Sequence, residues 1–320
     1  MSIAHLGPGP TAPAAAVPEP PKRRGWVGYA LLLPAALWLL VFFVIPLVQL
    51  VATSLYDPAG TLESGYDMTW HWQNYQTIFN DYMKLDPWYD VTSSPFGRAM
   101  VYSGIATLAC ILLGYPLAYA IAFKAGRWKN LMLVAVIAPF FTSFLVRTLS
   151  WQLILSDEGF FMQVLNTLHI TDLLEALHIA GSEGNLLATP FAVVTGLTYN
   201  FLPFLVLPLY ASLEKIDPRL LEAGADLYAS PFTTFRKVTL PLSMPGLVAG
   251  TLLTFIPAAG DFINAELLGN PTTQMVGNVI QNLFNGGSYP DAAALSVALM
   301  VIIVVLVLAY IRRAGTEELV

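Results

Sequence analysis

The chain has 320 residues, of which 56% are hydrophobic and only 11% charged, with a mean hydropathy of +0.63. A soluble domain normally carries about 25% charged residues, so this chain has more apolar surface than a water-soluble particle of its size can hide. A net charge of −6 argues against a nucleic-acid binder, which needs a basic stripe to displace phosphate counterions.

In chain order, residues 1–25 are rich in Pro, Ala and Gly and lack the apolar stretch of a cleavable signal, so they read as a disordered tail. Six stretches are then long and apolar enough to cross a bilayer as helices: 28–55, 100–123, 131–155, 189–213, 246–268 and 292–311. None shows the two-residue alternation of a lipid-facing barrel strand. The expected fold is an all-α integral membrane protein with six transmembrane helices. Its first span and following loop occupy 26–97, the main unit 98–312 and a short tail 313–320.

Charge sets the orientation. The basic residues collect before the first span, after the second, between the fourth and fifth, and after the sixth, with Lys84, Arg98 and Arg147 as exceptions. The opposite loops are acidic, and the positive-inside rule makes both termini cytoplasmic, as an even number of spans requires. The outer loop at 56–95 carries Tyr66, Trp70, Trp72, Tyr75, Tyr82, Trp88 and Tyr89. These rings read first as an interfacial aromatic belt, with a docking face for an outer partner as the other reading. Residues 158–187 are long for a bare connection and are expected to hold short surface helices.

The loop between spans four and five carries the most information. Asp217-Pro218 and Ser230-Pro231 are each a capping residue followed by a first-turn proline, predicting two short helices joined at an angle. Glu222 and Asp226, four apart, share one face of the first. Phe232 and Phe235 lie on the second, and Pro241 and Pro245 mark re-entry into the membrane. A rigid elbow of this kind suits another protein's cleft; an amphipathic loop resting on headgroups is the alternative.

Glu222-Ala223-Gly224, Asp226-Leu227, Ala229-Ser230-Pro231 and the ending Val238-Thr239-Leu240-Pro241 resemble the EAA loop of ABC-importer permease subunits. The resemblance extends over the membrane region after Arg98 and implies the type I importer permease fold. Gly224 stands where the family has a second alanine, and Tyr228 where it has a glycine. A bulky residue is costly at positive φ, so Ser230-Pro231 is expected to supply the bend instead. The segments Phe144-Leu-Val-Arg147-Thr-Leu-Ser-Trp151, Leu202-Pro-Phe-Leu-Val-Leu-Pro-Leu-Tyr210, Phe255-Ile-Pro-Ala-Ala-Gly-Asp261-Phe262, Leu267-Leu-Gly-Asn-Pro271 and Met275-Val-Gly-Asn-Val-Ile280 are similar to the spermidine/putrescine permease group.

The resemblance implies a permease subunit in a bacterial inner membrane that forms the path for a small cationic solute, a polyamine. Its partners would be a pair of cytoplasmic ATPase subunits, a second homologous permease and a periplasmic solute-binding protein. Glu222 would contact the ATPase cleft, with Ala223 and Gly224 allowing close packing. Asp226, Tyr228, Ser230, Pro231, Leu240 and Pro241 complete the coupling segment. Phe232 and Phe235 are, from the local sequence, apolar anchors there.

A carboxylate in a span costs about 2.5–3.5 kcal/mol at the hydrocarbon centre and faces water or a partner. Asp261 and Glu266, at the outer part of span five, therefore read as path-lining groups or as interfacial ones, with Glu266 the more interfacial. Tyr199, Phe201, Phe204 and Phe262 would add ring faces for an ammonium group or else pack helices together, and Trp151 is placed on the same path. Arg147, the one basic residue inside a span, is expected first in a structural ion pair, with a place near the outer interface or a contact to an anionic solute as the other readings. Gly104, Gly114, Gly196, Gly246 and Gly250 are expected at close helix crossings. No phosphate-cradling Gly-x4-Gly-Lys-Ser/Thr run occurs, so this chain is not expected to bind ATP through that motif, and the resemblance implies that ATP and magnesium are held by the partner ATPase. The histidines show no metal-ligand spacing, no catalytic set is visible, and an ion-coupled secondary transporter stands as the rival class.

Overall fold

The computed structural model describes residues 25–60, 65–85, 90–156, 159–167 and 185–314. All but Gly25 of the disordered tail expected at 1–25, most of the C-terminal tail, Trp88 and Tyr89 lie outside them. The main elements among the described residues are helices: α1 (Ala30–Thr53), α2 (Gln73–Ile78), α3 (Pro95–Lys124), α4 (Gly126–Phe141), α5 (Phe144–Leu155), α6 (Phe160–Thr167), α7 (Pro190–Glu214), α8 (Pro218–Asp226), α9 (Pro231–Ala259), α10 (Ile263–Leu268), α11 (Val276–Asn285) and α12 (Tyr289–Ala314). Five helices are long and apolar enough to cross a bilayer, and the bent pair α4–α5 makes six if counted as one span.

The chain divides into two units, ending and beginning at Gln49 and Leu50. The first holds most of α1, apolar along its length, with Leu31 and Trp38 exposed.

In the second unit four helix starts follow one rule. Ser94, Thr189, Asp217 and Ser230 each precede a proline, and each side chain accepts a backbone N–H of the first turn. The proline occupies a position whose N–H has no partner in the helix anyway. Helix α7 is the centre: Val193, Leu197, Leu205, Val206, Leu209 and Leu213 are fully buried. Its crossing with α9 is made close by Gly246 and Gly250. A Cβ at Gly246 would lie 2.6 Å from the Pro208 carbonyl oxygen, and one at Gly250 would lie 2.9 Å from that of Leu205. Gly114 and Gly196 also face close neighbours, but Gly104 faces open space and serves no crossing.

Two predicted spans differ in the structure. The stretch 131–155 is broken: α4 and α5 meet at 95°. Pro139 has no N–H to continue the ladder, and both the amide (3.1 Å) and the hydroxyl (2.7 Å) of Thr142 close on the Pro139 carbonyl. The stretch 246–268 ends at Ala259, where Pro257 and Gly260 finish α9, and α10 is separate. At its other end α9 begins at Pro231, so the second half of the loop is no independent helix. It is the first part of a continuous 29-residue helix. Pro241 falls inside it, tolerated because a π-turn at Phe235–Thr239 opens the ladder just before the proline ring.

The loop after α1 is folded. The Asn74 amide donates to the Ser54 (3.0 Å) and Tyr56 (2.9 Å) carbonyls, and the Tyr66 hydroxyl donates to the Gly287 carbonyl. Trp70 and Trp72 remain exposed. Arg98, an exception to the charge pattern, donates to the carbonyls of Gln274, Thr92 and Ser93, which explains a cation at that end of α3. In the region 158–187 the described residues include one helix, α6.

The α7–α9 crossing makes a direct prediction. Gly246→Val should destabilise the solubilised protein by about 1–3 kcal/mol through overpacking, read as a lower thermal midpoint, whereas Gly104→Ala should leave the midpoint unchanged.

Candidate functional site

One candidate surface is the elbow between α7 and α9. The Asp217 carboxylate accepts the Arg219 amide at 2.9 Å and starts α8. The helix closes with the Ala229 amide on the Gly224 carbonyl (3.0 Å) and the Tyr228 amide on the Ala225 carbonyl (2.9 Å). This paired ending requires a left-handed residue at the turn, usually glycine. Here it is Tyr228, with φ +57°. The expectation that Tyr228 would leave this turn to Ser230-Pro231 is therefore corrected: the tyrosine adopts the strained geometry, and Ser230 caps the next helix, accepting the Thr233 amide at 3.2 Å. The two backbone bonds hold the turn against a cost of about 1–2 kcal/mol.

The strained turn displays Leu227 and Tyr228, which are 81% and 98% exposed. Glu222, Ala223 and Asp226 are exposed beside them. Among the described residues the only ion pair is Lys129–Glu214 at 2.6 Å, so neither Glu222 nor Asp226 has a basic partner there. Gly224 does not face outward. A Cβ there would lie 3.0 Å from the Thr234 hydroxyl, so the glycine found in place of alanine lets α8 close on α9.

The aromatic pair of the elbow divides. Phe232 is 71% exposed. Phe235, expected as an outward anchor, turns inward: its ring meets Tyr115 edge-on at 5.4 Å and Tyr119 at 6.4 Å, with Leu240 packed against the same cluster. Pro241 stays exposed on α9. The surface of α8 is thus tied through α9 to the spans.

The other candidate lies at the far end of α9. Asp261 is buried, and its Oδ1 accepts the amide (2.8 Å) and the side chain (3.1 Å) of Asn264. It sits in the break, not inside a helix, and caps the first turn of α10. Asn264 Oδ1 accepts from Asn200 Nδ2 at 3.0 Å, and the same nitrogen donates to the Thr148 hydroxyl at 3.2 Å. One polar cluster therefore joins α5, α7 and α10. Glu266 is exposed and accepts from Asn278 Nδ2 at 3.1 Å, while that nitrogen also donates to the Phe262 carbonyl at 2.9 Å. Trp151 and Tyr199 meet edge-on at 5.5 Å, and Phe262 is exposed near Asp261 in sequence. Tyr199 also lines an apolar cavity of about 310 Å³ with Leu117, Met132 and Leu202.

Asn200, Asn264, Asn278 and Thr148 were not singled out by sequence reasoning. The available signal was an amide inside an otherwise apolar run, which must find a hydrogen-bond partner at that depth. Arg147 corrects an expectation. Among the described residues it has no acidic partner, and its guanidinium lies over the Phe140 and Phe144 rings, 5.6 Å from each.

Residues 30–314 match the family described as binding-protein-dependent transport system inner membrane component. The chain is 36% identical over 276 residues to the spermidine/putrescine transport system permease protein PotB of Haemophilus influenzae, covering 86% of this chain and 90% of that protein. A shorter segment of 108 residues is 37% identical to the permease protein PotC of Escherichia coli, covering 34% of this chain and 41% of PotC. The fold is similar to a chain in the crystal structure of a bacterial alginate ABC transporter in complex with alginate pentasaccharide-bound periplasmic protein, with a TM-score of 0.61 and 18% identity over 92% of this chain and 96% of that one.

The Tyr228 turn yields a second prediction. Tyr228→Gly should raise the stability of the solubilised chain by about 1 kcal/mol by removing the left-handed strain, and Tyr228→Val should lower it; thermal unfolding of the two variants against the parent checks the sign.

Proposed function

Because the chain belongs to the family of binding-protein-dependent transport system inner membrane components, we propose that it is a permease subunit of an ATP-binding-cassette importer for a polyamine of the spermidine/putrescine class. The observation that carries this reading is the exposed, unpaired acidic surface of α8, joined through the α8–α9 packing to a helix that runs on into the membrane. The similarity to PotB supports the substrate class. The likeness of one segment to PotC supports pairing with a second, homologous permease.

In this reading both termini and the elbow face the cytoplasm, where the basic loops lie. A pair of ATPase subunits binds ATP and magnesium and receives Glu222, Asp226, Leu227, Tyr228 and Phe232 in its cleft. This chain hydrolyses nothing itself. Closure of the ATPase pair pushes α8, and Gly224 against Thr234 passes the displacement to α9. Phe235 and Leu240, packed on Tyr115, spread it to α3. At the outer end, the Asp261–Asn264–Asn200–Thr148 cluster joins α10, which follows α9 in the chain, to α7 and to α5 of the broken span. A periplasmic binding protein delivers the solute there. Asp261 and Glu266 offer negative charge to the ammonium groups, and Trp151, Tyr199 and Phe262 offer ring faces.

Uptake of labelled spermidine by the reconstituted complex tests the reading. Glu222→Arg should lower ATP-driven uptake at least about tenfold, a loss of roughly 1.4 kcal/mol or more of coupling, with membrane insertion intact. Asp261→Asn keeps an acceptor for the Asn264 amide but loses the charge, and should weaken polyamine uptake while the ATPase subunits still co-purify. Equal uptake by a complex lacking ATPase subunits would overturn the proposal.

A further inference from the structure

Arg147 and Asp261 are buried groups of opposite charge that do not meet. Each is only 8% exposed. Among the described residues the single ion pair is Lys129–Glu214, so neither has a charged partner there. The Arg147 Nε and Nη1 make no hydrogen bond, and an arginine cannot shed its proton to escape the cost. Asp261 takes the Asn264 amide and side chain both on Oδ1, and its Oδ2 accepts no hydrogen bond among the described residues. The two groups also belong to one cluster. The outward face of α5 is apolar, with Leu145, Val146 and Leu149 exposed, whereas Arg147 and Thr148 lie on the buried side. Thr148 Oγ1 is 3.4 Å from Asn264 Oδ1, and Asn264 Nδ2 is 3.1 Å from Asp261 Oδ1. A single side chain, that of Asn264, thus stands between the neighbour of Arg147 and the acid.

The bend holds the guanidinium away from the acid. It lies 5.6 Å from the ring centre of Phe140, on α4, and 5.6 Å from that of Phe144, on α5. One ring comes from each limb, so the seat depends on the 95° at which α4 and α5 meet. Rings attract a cation but offer no acceptor to its N–H groups, whereas a carboxylate receives a guanidinium through two parallel hydrogen bonds. We propose that Arg147 is a built-in competitor for the transported cation. When the bend changes during the transport cycle, the guanidinium leaves the rings, pairs with Asp261 and displaces the solute's ammonium group from it. At the bend seen here, Asp261 is left to the solute. This rests on the reading of Asp261 as a group that receives that ammonium.

The experiment uses the assembled transporter, with both permeases, the ATPase subunits and the binding protein, in nanodiscs. Structures trapped along the ATP cycle should include one with an Arg147 nitrogen within about 4 Å of the Asp261 carboxylate and off the Phe140 ring. Arg147→Met should fold, because an apolar replacement for a buried charge is often neutral. It should slow the release of labelled spermidine in a single ATP-driven turnover about tenfold, the change expected for roughly 1.4 kcal/mol. Arg147→Lys should release at close to the parental rate. In an Asp261→Asn background, Arg147→Met should slow release no further. Parental release in Arg147→Met, or equal slowing with and without the Asp261 carboxylate, overturns the proposal. So does a set of trapped structures in which Arg147 keeps to the rings throughout or pairs with Glu266. Should Arg147→Met fail to fold, Arg147→Lys and the trapped structures decide. If the pair forms but the parent complex binds no polyamine, the transport reading fails and the pairing stands.

Discussion

Everything in this structure follows from one constraint: in hydrocarbon, a backbone N–H or C=O left without a partner has no water to turn to. A continuous helix meets the constraint by itself. A helix that breaks must bring side chains to the break, and here the breaks and the polar side chains coincide. Thr142 closes on the Pro139 carbonyl where α4 ends, Asp261 takes the Asn264 amide where α10 begins, and Asn278 takes the Phe262 carbonyl beside it. The polar residues of the membrane region are first of all the means by which the chain bends there. Any role in handling a cation is built on groups already engaged in holding the backbone.

The same constraint explains the contrast between the two ends of α9. At 29 residues the helix is about 43 Å long at 1.5 Å per residue, more than the roughly 30 Å hydrocarbon core. Its excess length leads into the elbow, where water can satisfy backbone groups and a strained turn at Tyr228 is held by two hydrogen bonds. Its other end stops where Asp261 is needed. A long stiff element with a soft, exposed start and a polar, buried finish is well suited to carrying a displacement between two places that share no direct contact.

Much of this was legible in the sequence. Hydropathy located the apolar stretches, and the Ser-Pro and Asp-Pro pairs located helix starts to the residue, because cap and proline are local effects. The break in 131–155 was not legible, since Pro139 sits in a run apolar on both sides and prolines elsewhere, such as Pro203 and Pro208, stay inside helices. The inward turn of Phe235 depended on the continuity of α9, which the second Ser-Pro signal concealed. Tyr228 at positive φ ran against its own propensity, and only the Gly224 and Ala225 carbonyls around it decide the outcome. The Asn200–Asn264 contact joins residues far apart in the chain, so no local pattern announces it.

Cys110, the sole sulfhydryl of the chain, is fully buried in α3, with its sulfur 3.4 Å from the Thr198 carbonyl oxygen on α7. Water-soluble maleimides and methanethiosulfonates therefore have no route to it in the folded state. A reporter thiol placed on Tyr228 or Phe232 can be modified selectively without first removing the native one, so the protein comes ready-made for spectroscopic probes of elbow motion.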